Sequence, residues 1–328
     1  MTAYSAATTS TPANRFARAI ATGSAPQTSE IAPRPRGLRA LVQAHPLVAY
    51  FGIAFAGTWL AISPLVLGPN GIGLLPVVLP DVLSILIFFG ATYAGPTVAA
   101  FAASWLEGGS AGVRRFAAGY TRWRVAPQWW LLAPVIFPAL WLVGYSVVLD
   151  GAPLLNLVRT PQVLLTVFLP QVALLFVVAL GEEAGWRGVA LPRLQQALGP
   201  VHATLVLGLL HGLWHLPVFF VAGFLGPFTI SGFTTFLVVA IFGTFLYTWV
   251  ANHTRYSILL ATLVHAGSNA ATNLLTQLTE LPYVGDPRVE WLLQENRLNV
   301  LIFGAAALTL LVTTRGRLGY QEPSESER

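Results

Sequence analysis

The chain has 328 residues, of which 55% are hydrophobic and only 9% charged, with a mean hydropathy of +0.66 and a formal net charge of +5. A soluble domain carries about 25% charged residues, so the deficit excludes an ordinary water-exposed fold and implies an all-α, polytopic transmembrane bundle. All eighteen basic residues are arginine, set beside apolar stretches rather than gathered into a nucleic-acid patch, and the lack of cysteine removes disulfides, thiolate metal sites and cysteine nucleophiles.

Residues 1–44 are rich in Ala, Thr, Ser and Pro, with five arginines against the single acid Glu30. That composition buries no core and reads as a disordered cytoplasmic tail. An Arg-rich, acid-poor leader also resembles an organelle transit peptide, but no amphipathic period supports that reading. A transmembrane domain is expected over 45–314 and a short cytoplasmic tail over 315–328.

Eight spans are predicted, near 47–67, 83–105, 128–149, 163–186, 203–222, 232–252, 257–277 and 298–313. Gly95-Pro96 should kink the second, because proline removes a helix hydrogen bond. Residues 70–82 are apolar but rich in Pro and Gly, which suits a re-entrant or interfacial segment. No internal repeat of the transporter kind is visible. With a cytoplasmic N-terminus, fifteen of the eighteen arginines fall on the inner side, leaving Arg159, Arg288 and Arg297 outside. This asymmetry places both termini in the cytoplasm and the end of the fourth span at the cytoplasmic face.

That end carries Glu182 and Glu183, the only acids between Asp150 and Glu280, followed by Arg187. Ionisable groups at membrane depth cost about 2.5 kcal/mol or more each unless paired or wet, so they mark a working site by default. Residues four apart share a helix face. Glu183 should therefore pair with Arg187, while Glu182 points elsewhere and stays available as a base. The fifth span carries His211 and His215 one turn apart, with Pro217 expected to bend the helix and free the carbonyl of Leu213. The seventh carries His265 and Asn269 with small residues between them. Counting residues into each span puts His215 about 6 Å deeper than His265, and Glu182 shallower still, a mismatch that calls for a conical cavity open to the cytoplasm. The bland readings are solvated acids, packed core histidines and an asparagine that bonds helices together. His45, His202 and His253 lie near span ends and read as interfacial. No phosphate loop, His-Glu-x-x-His zinc motif or Gly-x-Ser-x-Gly nucleophile elbow is present.

Taken in order, Glu182-Glu183-x-x-x-Arg187, His215 and His265-x-x-x-Asn269 resemble the CPBP (Abi) family of intramembrane proteases, which includes the CAAX prenyl endopeptidases. The resemblance covers about residues 160–275. His211 stands where the family pattern has Phe, and is expected to be a supporting neighbour of His215. The resemblance implies peptide-bond hydrolysis within the membrane. In that scheme Glu182 and His215 activate water, His265 and Asn269 stabilise the oxyanion, and Glu183, Arg187 and His211 support them. It also implies a choice between no cofactor and zinc, which Glu182, His215 and His265 would then ligate, with the metal-free glutamate route ranked first. The expected partners are the bilayer and a membrane-associated or lipidated peptide substrate, with no nucleic acid. A prenylated substrate is what the eukaryotic branch suggests, whereas the all-arginine, alanine-rich composition looks prokaryotic. Two other classes stay open: a non-proteolytic scaffold or bacteriocin-immunity-type protein of the same fold, and a proton-coupled transporter.

Overall fold

The computed structural model describes residues 44–223, 225, 228–279 and 285–322, and among them no strand occurs. The expected tail over 1–44 lies outside the described residues, apart from Ala44. In chain order the helices are α1 (Pro46–Leu67), α2 (Asp81–Thr92), α3 (Val98–Ala117), α4 (Pro127–Val148), α5 (Ala152–Arg159), α6 (Leu169–Gly185), α7 (Leu191–Trp214), α8 (Ile230–His253), α9 (Ile258–Leu278), α10 (Pro287–Leu293) and α11 (Arg297–Thr313).

Among the described residues, seven helical stretches are long and apolar enough to cross a membrane, where eight spans were expected. The difference lies in one long helical stretch, Leu164–Phe220, which takes in nearly all of the fourth and the fifth expected spans. Within it Gly199 adopts φ 74°, ψ 169°, just before Pro200. The positive φ suits glycine alone, and the proline cannot donate to the preceding turn, so the helix direction breaks there. The outer faces of the bundle are apolar: Leu60, Val147, Leu165 and Val312 are all exposed. This is the inverse of a soluble protein's pattern and suits a surface solvated by lipid.

Among the described residues, three single π-turns interrupt the helices, at Tyr93–Thr97, Leu164–Phe168 and Trp186–Ala190. Each contains a proline or lies two residues before one (Pro96, Pro170 and Pro192). A residue that cannot donate leaves a carbonyl free, and one widened turn absorbs the mismatch. The first coincides with the kink expected at Gly95-Pro96. The third lies directly on the Glu182–Arg187 segment. Pro217, by contrast, does not bend a continuing helix: α7 ends at Trp214, and a 3₁₀ turn over Leu216–Phe220 follows. The expected kink is thus a termination, and His215 occupies the helix cap.

Close packing at two glycines sets the interior. A Cβ on Gly267 would lie 2.1 Å from the carbonyl oxygen of Pro134, so α9 and α4 touch backbone to backbone. A Cβ on Gly185 would lie 2.4 Å from the Tyr50 hydroxyl and 2.6 Å from the carbonyl oxygen of Pro96. Contacts of this kind give membrane helices their packing energy in the absence of a hydrophobic drive between them. Hydroxyls add hydrogen bonds along the same seam: Thr97 Oγ1 donates to the Gly181 carbonyl at 2.6 Å, Thr92 Oγ1 to Val178 at 3.3 Å, and Tyr93 to Val177. The chain beyond α11 also turns back. Leu318, expected in a tail, is fully buried against Phe245 and Ala307, and its carbonyl accepts from Asn252 at 2.9 Å.

Candidate active site

The two adjacent glutamates diverge as the helix period demands, and their surroundings differ. Glu183 is fully buried, and its Oε1 accepts from Arg187 Nη1 at 2.7 Å and from His265 Nδ1 at 2.8 Å. The Arg187 guanidinium is also fully buried and lies over the Tyr247 ring, 4.2 Å from its centroid. A desolvated cation–π contact of this kind contributes about 2 kcal/mol. Glu183, Arg187, His265 and Tyr247 therefore form one knot joining α6, its π-turn, α8 and α9.

Glu182 faces a different pair. Its Oε2 lies 3.1 Å from His211 Nε2, and His215 Nδ1 lies 2.9 Å from the backbone carbonyl of His211. A carbonyl only accepts, so His215 Nδ1 carries the proton, and Nε2 of the neutral ring keeps its lone pair. The same reasoning applies to His265, whose Nδ1–H donates to the Glu183 carboxylate and leaves Nε2 free. Trp186 and Trp214 flank His211 at ring-centroid distances of 5.1 and 6.1 Å, and Trp214 and Phe236 flank His215 at 4.8 and 5.3 Å. Aromatic walls limit how much water reaches these polar atoms.

Glu182 is thus not the unpartnered acid expected from helix geometry; His211, the residue expected only to support, is its direct contact. His211 lies one turn before His215 on the same face of the helix, and it is His211 that comes within hydrogen-bond distance of the carboxylate. One ligand atom each from Glu182, His211 and His215 lie within 4.8 Å of one another. The donor set that this fold brings together for a metal therefore contains His211, where His265 was expected. Asn269 is exposed on α9, and its side chain makes no hydrogen bond to a described residue. The fold gathers Glu182, Glu183, Arg187, His211, His215 and His265, and no contact joins Asn269 to them among the described residues.

Residues 162–271 match the family model described as Type II CAAX prenyl endopeptidase Rce1-like. A CAAX prenyl protease 2 from Methanococcus maripaludis is 33% identical over 127 residues, which are 37% of this chain and 46% of that protein. Both matches fall on the region whose motifs resemble the CPBP family, and residues 162–271 are similar to an Rce1-like domain. It spans about half the length of the curated relative it matches. Together with the seven apolar helical stretches, the Rce1-like match marks a multi-pass membrane protein.

The Rce1-like match begins just before α6 and ends within α9, so it contains every acid and histidine of the cluster. Sequence reasoning missed Tyr247 and Thr97. Tyr247 offered a readable signal, a tyrosine inside an apolar span, since a buried hydroxyl needs a partner. Thr97 offered none, because threonines that bond their own helix are common in such chains.

Proposed function

We propose that this protein is an intramembrane endopeptidase of the CAAX prenyl protease type, hydrolysing a peptide bond in a membrane-associated or lipidated substrate. Support comes from the Rce1-like match and from the division of labour between the two glutamates. Glu183 is engaged at Oε1 by both Arg187 and His265, whereas Glu182 contacts His211 and has a ligand atom of His215 within 4.8 Å. That division is the observation that carries the reading.

In the proposed reaction, Glu182 takes a proton from water as the water oxygen attacks the scissile carbonyl carbon. His215, its Nδ1–H fixed by the His211 carbonyl, orients that water by accepting a hydrogen bond at Nε2. The carbonyl π-bond opens to an oxyanion, for which Asn269 and His265 are the proposed donors on α9, His265 in its doubly protonated form. Collapse of the intermediate breaks the C–N bond, and the proton held by Glu182 passes to the leaving amine. A positioned base of this kind contributes about 10²–10⁴-fold, and each oxyanion donor about 3 kcal/mol. The cavity is proposed to open toward the arginine-rich, cytoplasmic side that holds both termini.

A second reading rests on the 4.8 Å cluster. Two imidazoles and one carboxylate suit zinc with an open fourth position, and Glu182, His211 and His215 would hold it. Zinc there would acidify a bound water and polarise the carbonyl.

The test is cleavage of a membrane-anchored peptide by purified wild type, Glu182→Gln, His215→Ala and Asn269→Ala, with and without chelator. Loss of turnover in a folded Glu182→Gln protein supports the endopeptidase; wild-type turnover in that variant overturns it. Chelator-sensitive turnover selects the zinc route.

A further inference from the structure

Two adjoining cavities of about 370 and 500 Å³ share Arg122, Gln196 and Tyr256 as lining residues and include none of the clustered acids and histidines. Arg115 and Arg193 also line the first, and Arg255 the second. Two carboxylates face these four guanidinium groups. Glu107 is gripped at both oxygens by Arg193, and Glu322 forms no ion pair with a described residue. The remaining cations are held without acids. Arg122 Nη1 donates to the carbonyl of Arg255 at 2.6 Å, and Arg255 Nη2 donates to the carbonyl of Arg124 at 2.9 Å. Arg115 has no polar partner among the described residues.

The chain accepts unfavourable geometry to build this arrangement. Arg255 and Tyr256 are consecutive non-glycine residues at φ 53° and 55°, a sparsely populated region that clusters at ligand clamps. Burial and the neighbouring Arg255 charge lower the Arg122 pKa from its usual value. Two guanidinium groups that repel each other across a cavity would be relieved by an anion between them.

The position selects the kind of anion. The lining residues come from the ends of α3 and α8, the starts of α7 and α9, and the turn before α4, so they sit where the spans leave the apolar layer. Trp123 and Trp130 stand exposed beside them, with Trp130 Nε1 bonded to the Trp123 carbonyl at 3.2 Å and Arg124 over the Trp123 ring. Exposed tryptophans next to arginines are the mark of the headgroup level, and basic pockets between spans hold anionic headgroups there. We propose that the two cavities form a binding site for the phosphodiester of an anionic phospholipid. The bidentate fork of arginine matches phosphate oxygens. Gly188 and Val189, in the same π-turn as Arg187, form part of the wall.

The test is native mass spectrometry of delipidated full-length protein titrated with phosphatidylglycerol or phosphatidylcholine. A saturable phosphatidylglycerol adduct is expected. Arg115→Gln/Arg255→Gln should weaken it by roughly thirtyfold, at the usual contribution of each basic residue near a headgroup. Arg159→Gln, outside both cavities, should leave the adduct unchanged. Since loss of Arg255 could disturb its turn, Arg115→Gln alone is the second variant, expected to weaken binding about fivefold with unchanged melting. Equal binding of the two lipids, or unchanged affinity in the variants, overturns the site. Displacement by millimolar inorganic phosphate overturns the lipid assignment in favour of free phosphate. None of these readouts requires peptidase activity, so this site and the hydrolase reading stand or fall separately.

Discussion

Replacing each of the two glutamates by glutamine in turn should produce two different defects. In Glu183→Gln the amide oxygen can still accept from Arg187 and His265, which both bond the single oxygen Oε1, but the charge is gone. Arg187, fully buried and already lacking partners at Nε and Nη2, becomes an uncompensated buried cation. Breaking a buried pair in this way costs about 3–5 kcal/mol, which corresponds to a fall of roughly ten degrees in Tm for a domain of this order of size. In Glu182→Gln the amide oxygen can keep the 3.1 Å contact with His211, so the change in stability stays within about 1 kcal/mol. Its cost falls on chemistry, as a loss of about 10²–10⁴-fold in kcat. Thermal unfolding in detergent and single-turnover cleavage, run on the same samples, separate the two outcomes. Glu182→Gln destabilising the fold as much as Glu183→Gln would refute the division of roles, as would Glu183→Gln melting with the wild type.

Other outcomes follow from the same geometry. His211→Phe restores the family's aromatic residue and removes one of three clustered donors; zinc affinity, measured by competition with a chromogenic chelator, should fall by more than about a hundredfold. Arg187→Lys keeps the charge but loses the planar stack on Tyr247, and should lower stability by about 2 kcal/mol by chemical unfolding. Thr97→Val removes the hydrogen bond to Gly181 that fixes α6, at a cost of about 1 kcal/mol, read as a few degrees in Tm. Gly267→Ala places a methyl 2.1 Å from the Pro134 carbonyl oxygen and should cost about 3 kcal/mol or abolish folded yield, as judged by size-exclusion chromatography.

The helical class, the spans and the Glu183–Arg187 pair were all readable from residue types and spacing, because apolar length and the i, i+4 rule act locally. The fourth and fifth spans were separated on hydropathy alone; the break at Gly199-Pro200 that divides them was not singled out. What spacing could not supply was the partner of Glu182. Helix periodicity excludes Arg187 as that partner but names no residue on another helix. The end of α7 at Trp214 was likewise misread: Pro217 removes a donor in either case, and only packing decides between a bend and a stop.

His211 is where local and global readings part. As a departure from a family pattern it invited the view of a bystander, with His215 doing the chemistry. The fold puts the departure at the centre. Because α7 stops two residues before the proline-containing turn is entered, His215 folds its ring back onto the carbonyl of its own helix. The residue one turn earlier is then the one that meets the carboxylate. Phenylalanine at that position could wall the site but could not donate to Glu182, and the carboxylate would rely on water for its hydrogen bond. Histidine supplies the donor directly and adds a third ligand atom to the pair already present. The same substitution therefore steadies the proposed base and opens the zinc alternative. Its effect on turnover should depend on chelator if metal chemistry operates, and should be independent of chelator if Glu182 acts alone.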